Sequence, residues 1–145
     1  MPYDVEVSAG DGITPPVALA EVAAAVRAVL AGEAVPEAEI SVALLGDEAI
    51  AKLNERYLSH EGPTDVLSFP LHADGAPPLG DIYVGVDQAR RQADEIGVPV
   101  REEVLRLAVH GTLHVLGYDH PEGAGREDCE MYRRQEELLG SVLSR

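Results

Sequence analysis

Residues 101–116 carry apolar side chains round most of a helix: Val104, Leu105, Leu107, Ala108, Val109, Leu113, Val115 and Leu116. A helix apolar on that many sides does not lie on a surface, so it belongs at the centre of the fold with other elements packed around it. The same helix carries His110 and His114. Four residues apart, they project from one face, one turn above the other. Gly117 can take the left-handed conformation that ends a helix and turns the chain, which carries His120 back toward the first two. Three imidazoles with an open fourth position are the pattern of a catalytic zinc site. Buried without partners on a hydrophobic helix, such groups would each cost roughly 1–3 kcal/mol. A shared zinc, one ion per chain, removes that penalty. The rings bind as neutral species, so metal affinity falls as the pH drops toward the histidine range.

The rest of the chain supplies elements to surround that helix. Residues 3–8 alternate apolar and polar side chains, as a half-buried strand does. Pro15-Pro16 opens a helix over 17–30, closed by Gly32. Residues 39–45 read as a second strand, and Asp47 as the cap of a helix over 48–57. After the Gly62-Pro63 turn, 64–69 reads as an inner strand stopped by Pro70. A loop over 72–78 leads to a strand over 80–86 and a helix over 87–96. Residues 97–99 break the chain before the central helix. Gly123 and Gly125 mark a loop, and 126–143 form a charged final helix with Met131, Leu138, Leu139 and Val142 turned inward. Four strands interleaved with helices, with no repeat and no long linker, predict one layered domain over 1–145.

At 145 residues, a domain buries roughly 68–70% of its unfolded surface and needs no covalent staple. Cys129 is the single cysteine, so no disulfide forms within the chain, which suits a reducing cytosol. No apolar run approaches the roughly 20 residues of a membrane span, and the first residues lack a signal-peptide layout. The expectation is a soluble cytoplasmic protein with no membrane partner. The formal net charge of −15 argues against broad binding to a phosphate backbone. Arg90, Arg91 and Arg101 are the candidates for a local basic groove near the metal. Without one, a partner protein would have to deliver any nucleic acid.

The spacing His-x-x-x-His-x-x-Gly-x-x-His coincides with a metalloprotease motif, with one departure. The general-base Glu that follows the first His there is Gly111 here. Asp119, beside His120, is placed either to orient a ligand ring or to cap the next helix. His60 and His72 read as plain surface histidines, and Cys129 as a packing residue.

Taken with Leu53-Asn54-Glu55-Arg56-Tyr57, the run from Pro63-Thr64-Asp65-Val66 to Leu67-Ser68-Phe69-Pro70, and Leu79-Gly80-Asp81-Ile82, the histidine segment resembles the YbeY family. These are bacterial zinc-dependent endoribonucleases of ribosomal RNA maturation, and the likeness runs over about residues 44–139. It implies an α+β domain with a mixed, roughly four-stranded sheet packed against helices, and a metal site at the end of a central helix. It implies His110, His114 and His120 as zinc ligands. It also implies a single-strand-specific cut in processing the 3′ end of small-subunit ribosomal RNA, with a part in ribosome quality control. The expected partners are ribosomal RNA precursor and ribosomal proteins or a ribosome-associated GTPase. One departure stands out: Leu58 occupies a position where the family often carries Arg, and Arg56 lies on a different helix face. Three neutral ligands leave a zinc ion its full charge, which favours an anionic substrate such as a phosphodiester. Asp81, Asp119 and Arg56 are candidate catalytic groups, and Thr64 and Ser68 candidate phosphate donors. A zinc metallohydrolase acting on a peptide or small molecule, and a non-catalytic ribosome-assembly factor, remain as other readings.

Overall fold

The computed structural model describes residues 2–120 and 129–144. Strand β1 (Tyr3–Ala9) is joined by helix α1 (Leu19–Gly32) to strand β2 (Ala38–Leu45), and the two strands run parallel. A helical crossover is what lets neighbouring strands point the same way. Helix α2 (Asp47–Leu58) leads to β3 (Val66–Pro70), which doubles back as the antiparallel neighbour of β4 (Leu79–Gly85). β4 in turn lies parallel to β2, giving one mixed sheet in the order β1-β2-β4-β3. Helices α3 (Val86–Ile96), α4 (Val100–Val115) and α5 (Glu130–Leu143) complete the α+β domain. No helix among the described residues is long and apolar enough to cross a membrane.

The expectation of a central helix holds. α4 packs against α1, α3 and α5 and against β3 and β4, and Val104, Leu105, Ala108, Val109 and Leu113 are fully buried. Two missing side chains set how deeply it sits. A Cβ at Gly111 would come within 2.7 Å of Ile82 Cγ2, and one at Gly80 within 2.8 Å of Val115 Cγ1. Helix and strand therefore meet at backbone distance. Since side chains alternate along a strand, Ile82 and Val84 face α4, while Asp81 and Tyr83 face the other way. On that far face stand Asp4, Glu6 and Glu39, with Asp4 and Glu39 in register on neighbouring strands.

Several expectations are corrected. β3 is an edge strand, not an inner one; an edge is where Pro70 is tolerated, since no ladder bond needs its missing N–H. Gly32 does not close α1. It is the last helical residue, where a Cβ would strike Leu138. The left-handed residue is Ala34, at φ 55°, with Val35 N–H donating to the Leu30 carbonyl at 2.9 Å. Asp47 does not cap α2. Gly46 takes that position, and Asp87 of α3 accepts the Asp47 N–H at 2.8 Å. Among the described residues α5 runs Glu130–Leu143, preceded by extended Cys129, whose Sγ accepts the Tyr132 N–H. Gly123, Gly125 and Arg126 lie outside the described residues.

Gly111→Ala tests the close contact. In an exposed helix this change stabilises by about 1 kcal/mol; here the added methyl meets a branched carbon of Ile82, and overpacking of that kind costs about 1–3 kcal/mol. The urea midpoint should fall. A midpoint that rises would show that Ile82 yields without strain.

Candidate metal centre

Helix α4 ends at Val115 with its last turn closed as the sequence predicts. Gly117 takes φ 104°, its N–H donates to the His114 carbonyl at 3.0 Å, and Tyr118 N–H donates to the Leu113 carbonyl at 3.0 Å. That reversal swings His120 beside the two helical histidines. The ring centroids form a near-equilateral triangle: 4.7 Å for His110–His114, 5.1 Å for His110–His120 and 5.0 Å for His114–His120. One ligand atom from each ring lies within 4.8 Å of the other two, close enough to share a metal ion. His110 is 7% exposed and the other two are half-buried. The cluster thus sits at the mouth of the core, neither sealed nor on open surface. A donor set of three imidazoles suits zinc, and does not suit calcium or magnesium, which take oxygen ligands.

Outer partners hold the rings. His110 Nδ1 lies 2.6 Å from Gln135 Oε1, and His114 Nδ1 lies 3.1 Å from the Tyr118 carbonyl oxygen. A ring that donates from Nδ1 carries its lone pair on Nε2, the form that ligates metal. Tyr118 is itself braced. Its hydroxyl donates to Glu33 Oε1 at 2.6 Å, and Arg134 Nε donates to Glu33 Oε2 at 2.6 Å. Burial works to raise the Glu33 carboxyl, but the bonds from Tyr118 and Arg134 outweigh it and hold it below its ordinary value. The same hydrogen bond to Glu33 pushes the Tyr118 hydroxyl up. Beside the triad opens a cavity of about 250 Å³ lined by His110, His120, Asp65, Glu103, Arg106 and Gln135, among others.

The other candidates from the sequence do not gather there. Asp81 is on the far face of the sheet, since its neighbour Ile82 meets α4. Asp119 accepts the backbone N–H of His120 at 2.9 Å, which shapes the turn, and it is not among the cavity's lining residues. Arg56 stacks on Tyr57 and lines a groove with Tyr83 on the other side of the molecule. Leu58 is 45% exposed at the end of α2. The basic groove is not built. Arg91 makes a two-pronged ion pair with Asp47 (3.0 and 2.8 Å) and Arg101 one with Glu21 (both 3.0 Å), while Arg90 is exposed on α3. Arg101 also lies about 13 Å back along the helix axis from His110. Thr64 reaches its neighbour Asp65 at 3.5 Å, and Ser68 sits half-buried on β3 with Ile82 as its register partner. Neither is among the cavity's lining residues. His60 is exposed, as expected, but His72 has work to do: its Nδ1 accepts the Leu79 N–H at 3.1 Å and closes the β3–β4 loop. Asp65, Arg106 and Gln135 were missed as site residues. Asp65 and Arg106 carried only a family string and a charge count, and Gln135 carried no signal at all.

Comparison with known proteins agrees with this geometry. The sequence profile of the family described as Endoribonuclease YbeY matches residues 13–142. A protein named Endoribonuclease YbeY from Bacillus licheniformis is 39% identical over 93% of this chain and 92% of its own. One of the same name from Persephonella marina is 40% identical over 83% of this chain and 80% of its own. Another from Moorella thermoacetica is 47% identical over 73% of this chain and 74% of its own. Among solved structures, the solution structure of TM1509 from Thermotoga maritima superimposes with a TM-score of 0.69 at 25% identity, covering 97% of this chain and 89% of that one.

The brace under Tyr118 has a pH signature. Glu33→Ala strips a half-buried bonding partner from Tyr118 and Arg134, which costs about 1 kcal/mol. Because the folded Glu33 value is depressed, the contribution is present above the ordinary value of 4.5 and is lost as pH falls through the lowered folded value. Denaturant unfolding of parent and variant should therefore differ at neutral pH and converge in acid. Parallel pH curves would remove the ion pair from the account.

Proposed function

The chain belongs to the YbeY endoribonuclease family, and from that membership we propose a zinc-dependent, single-strand-specific endoribonuclease that acts in ribosomal RNA processing, including the 3′ end of the small-subunit RNA, and in ribosome quality control. As a member, it is a nuclease of RNA phosphodiester bonds. His110, His114 and His120 are the zinc ligands in this reading, one ion per chain. The observation that carries it is the convergence of those three rings at the mouth of a polar cavity.

Zinc bound there would supply a Lewis acid that polarises a phosphoryl oxygen and lowers the pKa of water toward about 7. The chain's own residues do the rest. Gln135 and the Tyr118 carbonyl keep two of the rings in a ligating orientation. The cavity wall excludes bulk water on the α5 side, where Met131 is 1% and Gln135 4% exposed. Glu103 is committed to Arg106 and Gln92. Asp65 is the carboxylate of the cavity that meets no arginine among the described residues. It accepts the Val66 N–H at 2.8 Å, which fixes its carboxyl, and it is the group we assign to take the proton of the attacking hydroxyl.

Peptidase chemistry has no equivalent support. Position 111, where a protease of this spacing keeps its base, points into Ile82 and has no room for a glutamate. Because Arg91 and Arg101 are already neutralised, binding of RNA by a broad basic surface finds no support either. A ribosomal protein or ribosome-associated GTPase that presents the precursor RNA fits the acidic exterior better, in a cytoplasmic setting.

Zinc-loaded protein should cut single-stranded RNA and leave casein intact. His114→Ala should lose both zinc, by elemental analysis, and cleavage; a variant that lost the metal and still cut would end the metal mechanism. Asp65→Asn should keep the metal and lose about 10²–10⁴-fold in rate. An unchanged kcat for Asp65→Asn would return the proton acceptor to another group.

A further inference from the structure

We propose that Gln135 is a positioning residue of the metal centre, locking His110 in its Nδ1–H tautomer, and that the amide's own direction is dictated from Arg106 through Glu136. The inference rests on the reading of the three histidines as metal ligands.

An amide side chain presents an acceptor at one end and two donors at the other, in nearly the same shape. Which end meets the ring depends on what claims the opposite end. Gln135 Nε2 lies 3.0 Å from Glu136 Oε2. A carboxylate offers only acceptors, so it takes the NH2 group. Its direction is held in turn by Arg106, whose Nε lies 3.1 Å from Oε2 and whose Nη2 lies 3.3 Å from Oε1. The amide oxygen is thereby left to His110, at 2.6 Å from Nδ1. An oxygen there can only accept, so Nδ1 carries the hydrogen and Nε2 the lone pair. With the amide reversed, its NH2 would call for a lone pair on Nδ1. The hydrogen would then move to Nε2 and block ligation.

The arrangement is built rather than incidental. Gln135 is 4% exposed, so water has little access to replace it. Arg106 is steadied by Glu102 and by buried Glu103, whose second oxygen accepts from Gln92 at 2.8 Å. The whole run has one polarity: guanidinium donates, carboxylate accepts, amide donates and accepts, imidazole donates. Its members come from α4 and α5, and Gln92 of α3 steadies Glu103 beside Arg106, so the tautomer of His110 is tied to the packing of these helices. His114 requires no such device, because the Tyr118 carbonyl is an acceptor that has no donor end to present.

The test is zinc affinity, measured by competition with a chromogenic chelator on folded protein, together with the His110 tautomer read from ring ¹⁵N shifts of the metal-free protein. Gln135→Leu should weaken zinc roughly 10–100-fold, the usual effect of losing an outer-shell partner. Glu136→Gln unlocks the amide and should weaken zinc as well, while a merely structural role for Gln135 would leave zinc affinity unmoved in a folded variant. An Nε2–H tautomer in the parent, or parent-like affinity in Gln135→Leu, overturns the proposal. Should Gln135→Leu fail to fold, parent-like affinity in Glu136→Gln overturns it equally. A parent protein that takes no zinc at all would instead defeat the metal reading on which it rests.

Discussion

Every residue of α4 from Leu107 to Leu113 is buried, and there the helix can carry polar groups only where something inside the fold answers them. Its depth is set where Gly111 rests on Ile82 and Gly80 makes way for Val115. Drawn that close to the sheet, α4 turns His110 toward α5 and the cavity, with 7% of its surface left to water. An imidazole so placed must find partners or lose stability. Gln135 meets one nitrogen, and the neighbouring histidines stand within reach of a shared ion. The histidine cluster is in this sense a consequence of how tightly a helix and a strand approach.

The third histidine depends on a different constraint. His120 lies beyond the end of α4, and only the reversal at Gly117 returns it. That turn is fastened from outside by Tyr118, which reaches Glu33 at the far end of α1, while Arg134 of α5 clamps the same carboxylate and the Gly32 carbonyl. One residue thus serves two ends: its ring ties the turn to the frame and its carbonyl steadies His114. Binding of a metal would cross-link the turn to the helix, so ligation and folding share the same free energy.

What the sequence disclosed divides along the same line. The central helix, the glycine stop and the three histidines are local patterns, written in spacing and periodicity, and the family likeness added the sheet. The partners of those groups are not local. Gln135 meets His110 across 25 positions, Tyr118 meets Glu33 across 85 and Arg134 meets Glu33 across 101. No periodicity reports such pairs. The same blindness produced the errors. Arg91 and Arg101 looked available because Asp47 and Glu21 lie 44 and 80 positions away. Asp47 looked like a cap because it precedes a helix, yet Asp87 does that work from α3. β3 read as an inner strand because its apolar run resembles one, whereas only the pairing order reveals an edge. Asp81 looked available as a base until strand alternation placed it behind the sheet.

The electrostatics of the cavity follow from these pairings. Its arginine, Arg106, is matched by Glu102, Glu103 and Glu136. Burial alone would lower the Arg106 guanidinium, but its bonds to Glu136 and Glu103 outweigh burial and raise it, so it stays charged and occupied. With Asp65 on the wall as well, the protein groups alone make a negative chamber in a chain of net charge −15. Such a chamber repels a phosphodiester. Three neutral imidazoles cancel none of a divalent ion's charge, so metal binding would reverse the sign of the local field where the substrate must lie. Recognition and catalysis would then depend on the same event, and an acidic exterior would confine an RNA strand to that one point of attraction.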